Sequence, residues 1–374
     1  MSDRKTEIYV MTHKPFTVPS DPIYIPVHVG RRPWREGHPG ENSKLLSYTG
    51  DDSGDNISDR NCYYSELTGM YWVWKNVSCD YVGICHYRRY LLNRQGFMFT
   101  SSEIEHILTE YDVITTKNLD LNFSYYEGFT ANHKRIYLDT AAAVLGERYP
   151  DYFAVYDRLV HEKHTYFGNM LITDKTTYDS YMEWLFSVLF EVQRRVKVEE
   201  EDSYHRRIFG FLSEFLQYVW ITGNGLRAYE CMVGMLGEKA EVTETKQRLA
   251  DFFDREDFEG AKAFFLERLK QRPDLLMEAS DVTGELHLCM EVIAIAGLEQ
   301  QAYQKNLLQR IHGFDQLMQY CNHLNSYVAQ KKSSEVEERL IRWAGKQEIS
   351  DVAYRTAEAV MEAALGQEKF PIRG

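Results

Sequence analysis

Short apolar runs alternate with segments of helical period over the first two thirds of the chain, and this alternation constrains the fold more than any other feature. The runs are too short for core helices and are bounded by turn-forming residues such as Pro and Asp, which is typical of strands. The predicted strands lie at residues 7–11, 23–30, 81–85, 111–116 and 166–172. The predicted helices lie at residues 61–76, 175–197 and 203–222. Strands that alternate with helices predict a layered α/β domain with a largely parallel sheet.

Proline and loop-forming residues interrupt this pattern near its start. Pro26 has no backbone N–H, so the strand at 23–30 is predicted to be an edge strand or an irregular segment. Residues 31–60 contain Gly, Pro, Asp, Asn and Ser at the density of a loop. Because long loops in ordered domains tend to be functional, we expect a function for this segment.

Strand signals stop at about residue 238. Beyond this point Glu, Lys, Ala, Leu and Gln recur with helical spacing, which predicts an all-helical domain. Residues 257–266 resemble one unit of a helical-hairpin repeat, but no second copy follows at a fixed period. A chain of 374 residues is long enough for two domains. We therefore predict an α/β domain at residues 1–238 and an irregular helical bundle at residues 239–374.

Charge and composition exclude several classes of protein. The net charge is −13, whereas nucleic-acid binding depends on neutralising phosphates, so no nucleic-acid partner is expected. No stretch approaches the roughly 18 apolar residues of a spanning helix, and the first residues lack an apolar signal region, so we expect a cytoplasmic protein. The six cysteines lack metal-ligand spacing, which predicts reduced core thiols.

Polar side chains stand at the ends of three predicted strands. Ligands of open α/β sheets bind beyond the carboxyl ends of the strands. Thr12 and His13 follow the first strand, residues 86–89 follow the central strand, and Asn169 lies within a later strand beside Gly168. Taken alone, Thr12 and His13 are better explained as a turn hydroxyl and a solvated imidazole.

The segment His86-Tyr87-Arg88-Arg89-Tyr90 stands where nucleotide-sugar transferases of the GT-A fold usually carry an Asp-x-Asp metal motif. No Asp-x-Asp occurs anywhere in the chain. A leaving nucleoside diphosphate needs its charge neutralised, either by Mg²⁺ or Mn²⁺ or by fixed cations. Arg88 and Arg89 could do so, because guanidinium meets phosphate bidentately. The alternative is an Arg pair held by salt bridges at a sheet edge. We expect no cofactor, with a divalent metal as the alternative.

A second polar cluster leads into the aromatic helix at 61–76. Asp55, Asn56 and Glu66 could bind a uracil ring and ribose hydroxyls. Turn formation and helix capping explain the same residues equally well. If the chain does bind a metal, the carboxylates at 51–55 and 200–202 are the candidate ligands.

The third predicted helix displays a carboxylate. Its apolar stripe is predicted to face the core and consists of Ile208, Phe211, Leu212, Phe215 and Val219. Glu214 lies on a different face, together with Arg207 and Gly210. It could be the general base for an acceptor hydroxyl or could orient the donor sugar. The alternative is an exposed Glu paired with Arg206 or Arg207. The acidic residues 199–202 are most simply a solvated turn.

Four ordered motifs resemble a family that is encoded in capsule and exopolysaccharide gene clusters and was long described as a domain of unknown function. The motifs are Gly54-Asp55-Asn56-Ile57-Ser58, Tyr64-Ser65-Glu66-Leu67-Thr68-Gly69 with Tyr71-Trp72-Val73-Trp74-Lys75-Asn76, His86-Tyr87-Arg88-Arg89-Tyr90, and Phe209-Gly210-Phe211-Leu212-Ser213-Glu214. The resemblance covers about residues 6–235. One position departs from the expected pattern, because Phe215 stands where an Arg is expected.

The resemblance implies a GT-A-like glycosyltransferase with a Rossmann-like sheet. It implies a UDP-sugar donor, transfer of a hexose such as galactose or galactofuranose, and a glycan or lipid-linked glycan acceptor. It supplies no catalytic residue by itself, so the roles rest on residue placement. The expected catalytic residues are Glu214, Asp55 and His86. The expected donor and diphosphate ligands are Thr12, His13, Asn56, Glu66, His86, Arg88 and Arg89. The expected sugar or acceptor ligands are Tyr87, Gly168 and Asn169.

A binding protein is the competing hypothesis, since the Asp-x-Asp motif is missing. In that case the chain is a catalytically silent nucleotide-sugar scaffold that recruits partners through its helical domain. The same domain could attach the enzyme to another protein or to the inner face of the membrane.

Overall fold

The chain forms two compact units, Met1–Leu236 and Gly237–Gly374. The computed structural model describes residues 4–38, 43–276, 280–332 and 336–369. The first unit mixes strands and helices, and the described residues of the second form helices and turns. Whether the two units fold independently stays a prediction.

One large sheet organises the first unit. Its strands are β1 (Thr6–Thr12), β2 (Tyr24–His28), β3 (Thr49–Gly50), β4 (Tyr81–His86), β5 (Arg89–Leu92), β6 (Val113–Thr116), β9 (Leu171–Asp174) and β10 (Ala228–Met235). They lie in the order β3-β2-β1-β4-β5-β10-β6-β9, and β9 also pairs with β4. A separate pair consists of β7 (Leu119–Asp120) and β8 (His164–Thr165).

The sheet is mixed, which corrects the expectation of a largely parallel one. β1 runs parallel to β2 and β4, and β6 runs parallel to β10. By contrast, β5 and β9 run antiparallel to β4. The reason for β5 is local, because a return through the two residues after His86 leaves no room for the crossover that parallel strands need.

Pro26 is accommodated in β2 near one end of the sheet. It lies opposite Val10 of β1, while β3 pairs only with Val27 and His28. The missing N–H of Pro26 therefore costs no hydrogen bond to β3. β2 is therefore the second strand from the end of the sheet and not its edge, which corrects the expected edge position.

Nine helices of the described residues pack around the sheet. They are α1 (Arg31–Gly37), α2 (Asn61–Tyr64), α3 (Leu67–Asn76), α4 (Ser101–Ile107), α5 (Tyr125–Asn132), α6 (Ile136–Arg148), α7 (Pro150–Val160), α8 (Lys175–Arg195) and α9 (Ile208–Gly223). Side chains of β4 alternate between two apolar cores. Val82 and Ile84 join the core formed with α3, α8 and α9, whereas Tyr81 and Cys85 join the core that contains Ile104 of α4.

Three predicted boundaries change in the structure. The helix expected at 61–76 is broken at Ser65, whose φ of 48° lies outside the helical region. The loop expected at 31–60 contains α1 and the 3-10 turns Lys44–Ser47 and Ser58–Arg60, with residues 39–42 outside the described ranges. The strand expected at 166–172 begins only at Leu171.

The described part of the second unit is built from helices around its own apolar core. They are α10 (Ala240–Asp254), α11 (Phe258–Gln271), α12 (Glu285–Tyr303), α13 (Phe314–Lys332), α14 (Glu338–Ala344) and α15 (Asp351–Lys369). Leu286, Val292 and Ile295 place α12 in the middle of this core. Within the described residues of both units, no helix is long and apolar enough to cross a membrane.

Candidate functional site

A buried asparagine joins three elements of the first unit. Asn169, fully buried just before β9, donates from Nδ2 to Oε1 of Glu66 at 2.7 Å. Ser213 of α9 donates from Oγ to Oδ1 of Asn169 at 2.8 Å. The same Nδ2 lies 3.4 Å from the carbonyl oxygen of Gly210. One amide therefore fixes the junction of α2 and α3, the second turn of α9 and the start of β9.

His86 ends β4, where it pairs with Met11 of β1 on one side and with Arg89 of β5 on the other. The pairing of β4 with β9 ends at Ile84 and Leu171, so Asn169 lies beyond the paired residues. The carboxyl end of β4 therefore places an imidazole at the start of the turn to β5.

His86 is neutral at physiological pH. Burial, and then the positive charges of Arg89 and Arg88, hold the pKa of His86 well below its usual value. Its Nε2 is buried without a hydrogen-bond partner among the described residues. A buried polar atom without a partner is costly, so Nε2 is suited to bind a ligand atom.

The turn after β4 brings the Arg pair to the same place. Arg89 pairs with His86 across this turn. A Cβ added at Gly168, whose φ is 87°, would lie 3.9 Å from Nη1 of Arg89, so the guanidinium lies close to this glycine. Arg88 lies over the ring of Tyr87, 5.6 Å from its centre. The pair is not at a sheet edge, because β5 lies between β4 and β10.

The loop after β1 meets the loop after β4. The exposed ring of His13 stands edge-on to Tyr87, with 5.5 Å between ring centres. Thr12 is buried and donates from Oγ1 to the carbonyl oxygen of Lys14 at 2.5 Å, so its hydroxyl closes a turn. His13 and Tyr87 thus line the same region, while Thr12 has the structural role that the sequence favoured.

Another buried polar residue lies on α9, one turn beyond Ser213. Gln217 donates from Nε2 to Oγ1 of Thr115 at 2.9 Å and lies 3.3 Å from the carbonyl oxygen of Met170. The hydroxyl of Thr115 donates to the same carbonyl at 3.0 Å. Sequence reasoning placed Gln217 on the same helix face as Glu214 without a role, and it missed Ser213 and Thr115 as candidates. The signal for Ser213 and Gln217 was the one-turn spacing of small or polar residues at 210, 213 and 217 on an apolar helix.

Glu214 is half-buried rather than exposed. It follows Gly210 by one turn and therefore borders the same face of α9. Its carboxylate also lies near Tyr125, whose pKa is raised by burial and then by the charge of Glu214. The structure thus places Glu214 on the α5 side of the cluster formed by Asn169.

Asp55 and Asn56 do not belong to this cluster. Asp55 accepts a hydrogen bond from the Tyr71 hydroxyl at 3.1 Å, and its backbone N–H donates to Oδ1 of Asn76 at 3.2 Å. Asn76 ends α3, whereas Glu66 precedes its first residue, and a ten-residue helix is about 15 Å long. Asn56 closes the local turn by donating to the carbonyl of Gly54 at 2.9 Å. Asp55, which was expected to be catalytic, is therefore separated from Glu66 by the length of α3.

Asp51 has a structural role that the sequence did not reveal. It is fully buried and accepts four hydrogen bonds, two on each oxygen. The donors are the backbone N–H groups of Gly30 and Arg31 and the hydroxyls of Ser58 and Thr68, at 2.6–3.0 Å. Asp51 therefore ties the first turn of α1 to the 3-10 turn at 58–60 and to α3. All of its close acceptor positions are occupied, which leaves it unsuited to bind a metal.

The acidic segment at 199–202 is more ordered than a solvated turn. Glu201 accepts hydrogen bonds from Lys134 at 2.8 Å and from the Tyr137 hydroxyl at 2.6 Å. Asp202 lies 2.6 Å from Nδ1 of His205. Burial opposes ionisation of Asp202, but hydrogen bonds from His205 and Tyr204 lower its pKa to about 2. With residues 130–135, this segment lines an open cavity of about 670 Å³.

The geometry defines an α/β protein with a cluster of polar side chains around Asn169 and a turn with two arginines at the carboxyl end of a central strand. The chain belongs to the DUF4422 family, a domain of unknown function, whose model matches residues 7–225. The matched residues contain the whole cluster around Asn169. No curated protein sequence matches the chain.

Among solved structures, the chain is similar to the bifunctional glycosyltransferase WbbM in its apo form. The two share 27% sequence identity with a TM-score of 0.55, and the match covers 63% of this chain. It covers 46% of the WbbM chain, so this chain corresponds to less than half of that protein.

Proposed function

We propose that this protein is a glycosyltransferase that moves a hexose from a UDP-sugar to a glycan or lipid-linked glycan acceptor. The observation that carries the proposal is the similarity to a bifunctional glycosyltransferase over 63% of the chain. The site supports this proposal, because neutral and cationic hydrogen-bond donors converge where α/β folds bind ligands. Galactose or galactofuranose as the transferred sugar, and capsule or exopolysaccharide as the product, are proposed from the family resemblance.

In this proposal the hairpin after β4 binds the diphosphate. Arg88 and Arg89 provide the positive charge, and the free Nε2 of His86 donates to a phosphate oxygen in one tautomer. His13 and Tyr87 border the donor site from the loops after β1 and β4. Glu214, beside Gly210, is the proposed base for the acceptor hydroxyl. Asp55 and Asn56 are not part of the proposed set, because the structure holds them at the far end of α3.

The residues at the end of β4 do not suit a divalent metal. Mg²⁺ prefers oxygen ligands, whereas this turn presents an imidazole and two guanidinium groups. Among the described residues, no three His, Cys, Asp or Glu side chains form a group that could hold a metal ion. We propose that fixed cations take the part of the metal in diphosphate binding.

Calorimetric titration with UDP tests this binding mode. We expect the full chain to bind UDP equally well with and without EDTA. Arg89→Ala should weaken binding by about tenfold or more, and Arg89→Lys should restore it only partly, because a point charge lacks the bidentate fork. If chelation abolishes binding and Mn²⁺ restores it, the metal-free mode is wrong.

Slow hydrolysis of the donor separates an enzyme from a silent scaffold. A transferase is expected to release UDP from a UDP-hexose in the absence of acceptor, whereas a binding protein leaves it intact. Glu214→Gln should lower transfer to an acceptor by about 100-fold if Glu214 is the base. Tight UDP-hexose binding without any turnover would favour the scaffold.

Location and partners form a separate part of the proposal. We propose that the enzyme works in the cytoplasm, where UDP-sugars are made. A lipid-linked acceptor would require contact with the inner face of the membrane, through the helices of the second unit or through a protein partner. Cell fractionation with and without high salt tests this part.

A further inference from the structure

We infer that Glu66 binds the hydroxyl groups of the transferred sugar and restricts the donor to neutral sugars, with Asn169 as its positioning residue. This inference rests on the proposed function. It goes further by assigning the charge class of the sugar.

Glu66 is placed as a ligand-binding group rather than as a helix cap. It occupies the N-cap position of α3, yet its side chain makes no capping hydrogen bond. Instead Oε1 accepts from Nδ2 of the fully buried Asn169 at 2.7 Å. Glu66 as a residue is half-buried, and one of its carboxylate oxygens is fixed by Asn169.

The residue before Glu66 has an unusual backbone conformation. Ser65 has a φ of 48°, which is unusual for a residue with a side chain, and its carbonyl accepts from Nδ2 of Asn61 at 2.7 Å. Strained backbone of this kind concentrates at functional sites. Gly210 lies against this carboxylate, because a Cβ at this position would be in van der Waals contact with Oε1 of Glu66, at 3.4 Å.

Charge decides which part of a UDP-sugar can face Glu66. An ionised carboxylate only accepts hydrogen bonds, so it repels a diphosphate and attracts hydroxyl donors. In the proposed function the diphosphate is bound by Arg88 and Arg89, which follow His86. Asn169 follows Gly168, and a Cβ added at Gly168 would lie 3.9 Å from Nη1 of Arg89, so Glu66 is one hydrogen bond away from a residue whose neighbour lies close to this cation. In a UDP-sugar the sugar is bonded directly to the diphosphate, and its hydroxyl groups can donate hydrogen bonds to a carboxylate.

The same charge selects among sugars. A neutral hexose presents hydroxyl groups to Glu66, whereas a uronic acid presents a second carboxylate and is repelled. We therefore expect UDP-galactose to bind and UDP-glucuronic acid to bind much more weakly. Both carry the same nucleotide, so their difference reports on the sugar position alone.

The experiment compares UDP, UDP-galactose and UDP-glucuronic acid by calorimetry on the full chain. Glu66→Gln should leave UDP affinity within about twofold, weaken UDP-galactose by about tenfold, and bring UDP-glucuronic acid closer to UDP-galactose. Glu66→Asp keeps the charge but withdraws it by one methylene. It should weaken UDP-galactose and still reject UDP-glucuronic acid, which a general loss of folding would not do. Glu183→Gln, an exposed carboxylate on α8, is the matched control.

Positioning by Asn169 has its own readout. Asn169→Ala should weaken UDP-galactose but not UDP, and Ser213→Ala should have a smaller effect, because it keeps the bond between Asn169 and Glu66. If Glu66→Gln lowers the affinity for UDP and UDP-galactose alike, or changes neither, the inference is overturned and the proposed function stands. If the wild-type chain binds no UDP compound, both fail.

Discussion

Replacing Glu291 by Gln should stabilise the second unit at neutral pH. Glu291 lies on α12 with 3% of its surface exposed, and its one hydrogen bond comes from Nδ2 of Asn325 at 2.7 Å. Its Oε1 and Oδ1 of Asn325 are both buried without a partner among the described residues. Burial raises the pKa of Glu291 from 4.5 to about 7, although the bond from Asn325 lowers it.

The sign and size of the effect follow from that pKa. Between pH 4.5 and about pH 7 the folded state keeps a proton that the unfolded state releases, so stability falls as pH rises. One pKa unit corresponds to about 1.4 kcal/mol, so the full penalty above this window is about 3 kcal/mol. Gln carries no charge, and its amide can donate to Oδ1 of Asn325. The variant should match the wild type near pH 4 and exceed it by up to about 3 kcal/mol near pH 8.

Urea unfolding at several pH values measures this difference, followed by hydrogen exchange in α12 and α13. Glu299 gives a matched control, because it is on the same helix and 2% exposed. It accepts from Arg310 at 2.6 Å and from Ser350 at 2.5 Å. Glu299→Gln should therefore destabilise by about 2 kcal/mol near pH 8, the opposite sign. Parallel stability curves for the wild type and Glu291→Gln across pH would refute the reasoning.

Three further outcomes are expected. In either orientation of its amide, Asp51→Asn turns an N–H₂ group toward a backbone N–H donor. The free energy of unfolding, measured by chemical denaturation, should therefore fall by about 2–3 kcal/mol, and an unchanged midpoint would contradict the role of Asp51. Gly54→Ala should lower the melting temperature more than Gly96→Ala, since both have positive φ but only at Gly54 would the Cβ meet Asn76, at 1.9 Å. Limited proteolysis should cut between β10 and α10, within residues 236–240, and resistance there would contradict an accessible boundary between the units.

The strands and helices of the first unit follow largely from local sequence. Apolar runs at 7–11 and 81–85 predicted β1 and β4, because a run too short for a core helix and bounded by turn residues suits a buried strand. The long helix from Lys175 follows from its apolar period and from the Asp174 cap, which accepts from the N–H of Thr177 at 2.9 Å.

Several features depended on tertiary structure. The sequence predicted a strand that overlaps β9 but not its antiparallel direction, and it did not reveal β5, since direction in a sheet depends on which strands meet. Asn169 contacts Glu66 across 103 positions of sequence and Ser213 across 44. Local periodicity has no information about contacts at those separations, so the sequence identified Glu66 and Asn169 as candidates without predicting that they are in contact.

The sequence by itself determined the charge, the absence of an Asp-x-Asp motif and the chemistry of the segment after β4. Those properties belong to residue types and do not depend on packing. Only the tertiary structure decided that Glu66 shares a site with Asn169 while Asp55 does not, although both lie near α3. The physical reason is that a helix of about 15 Å separates its two ends, whereas one buried amide can bind two elements at once.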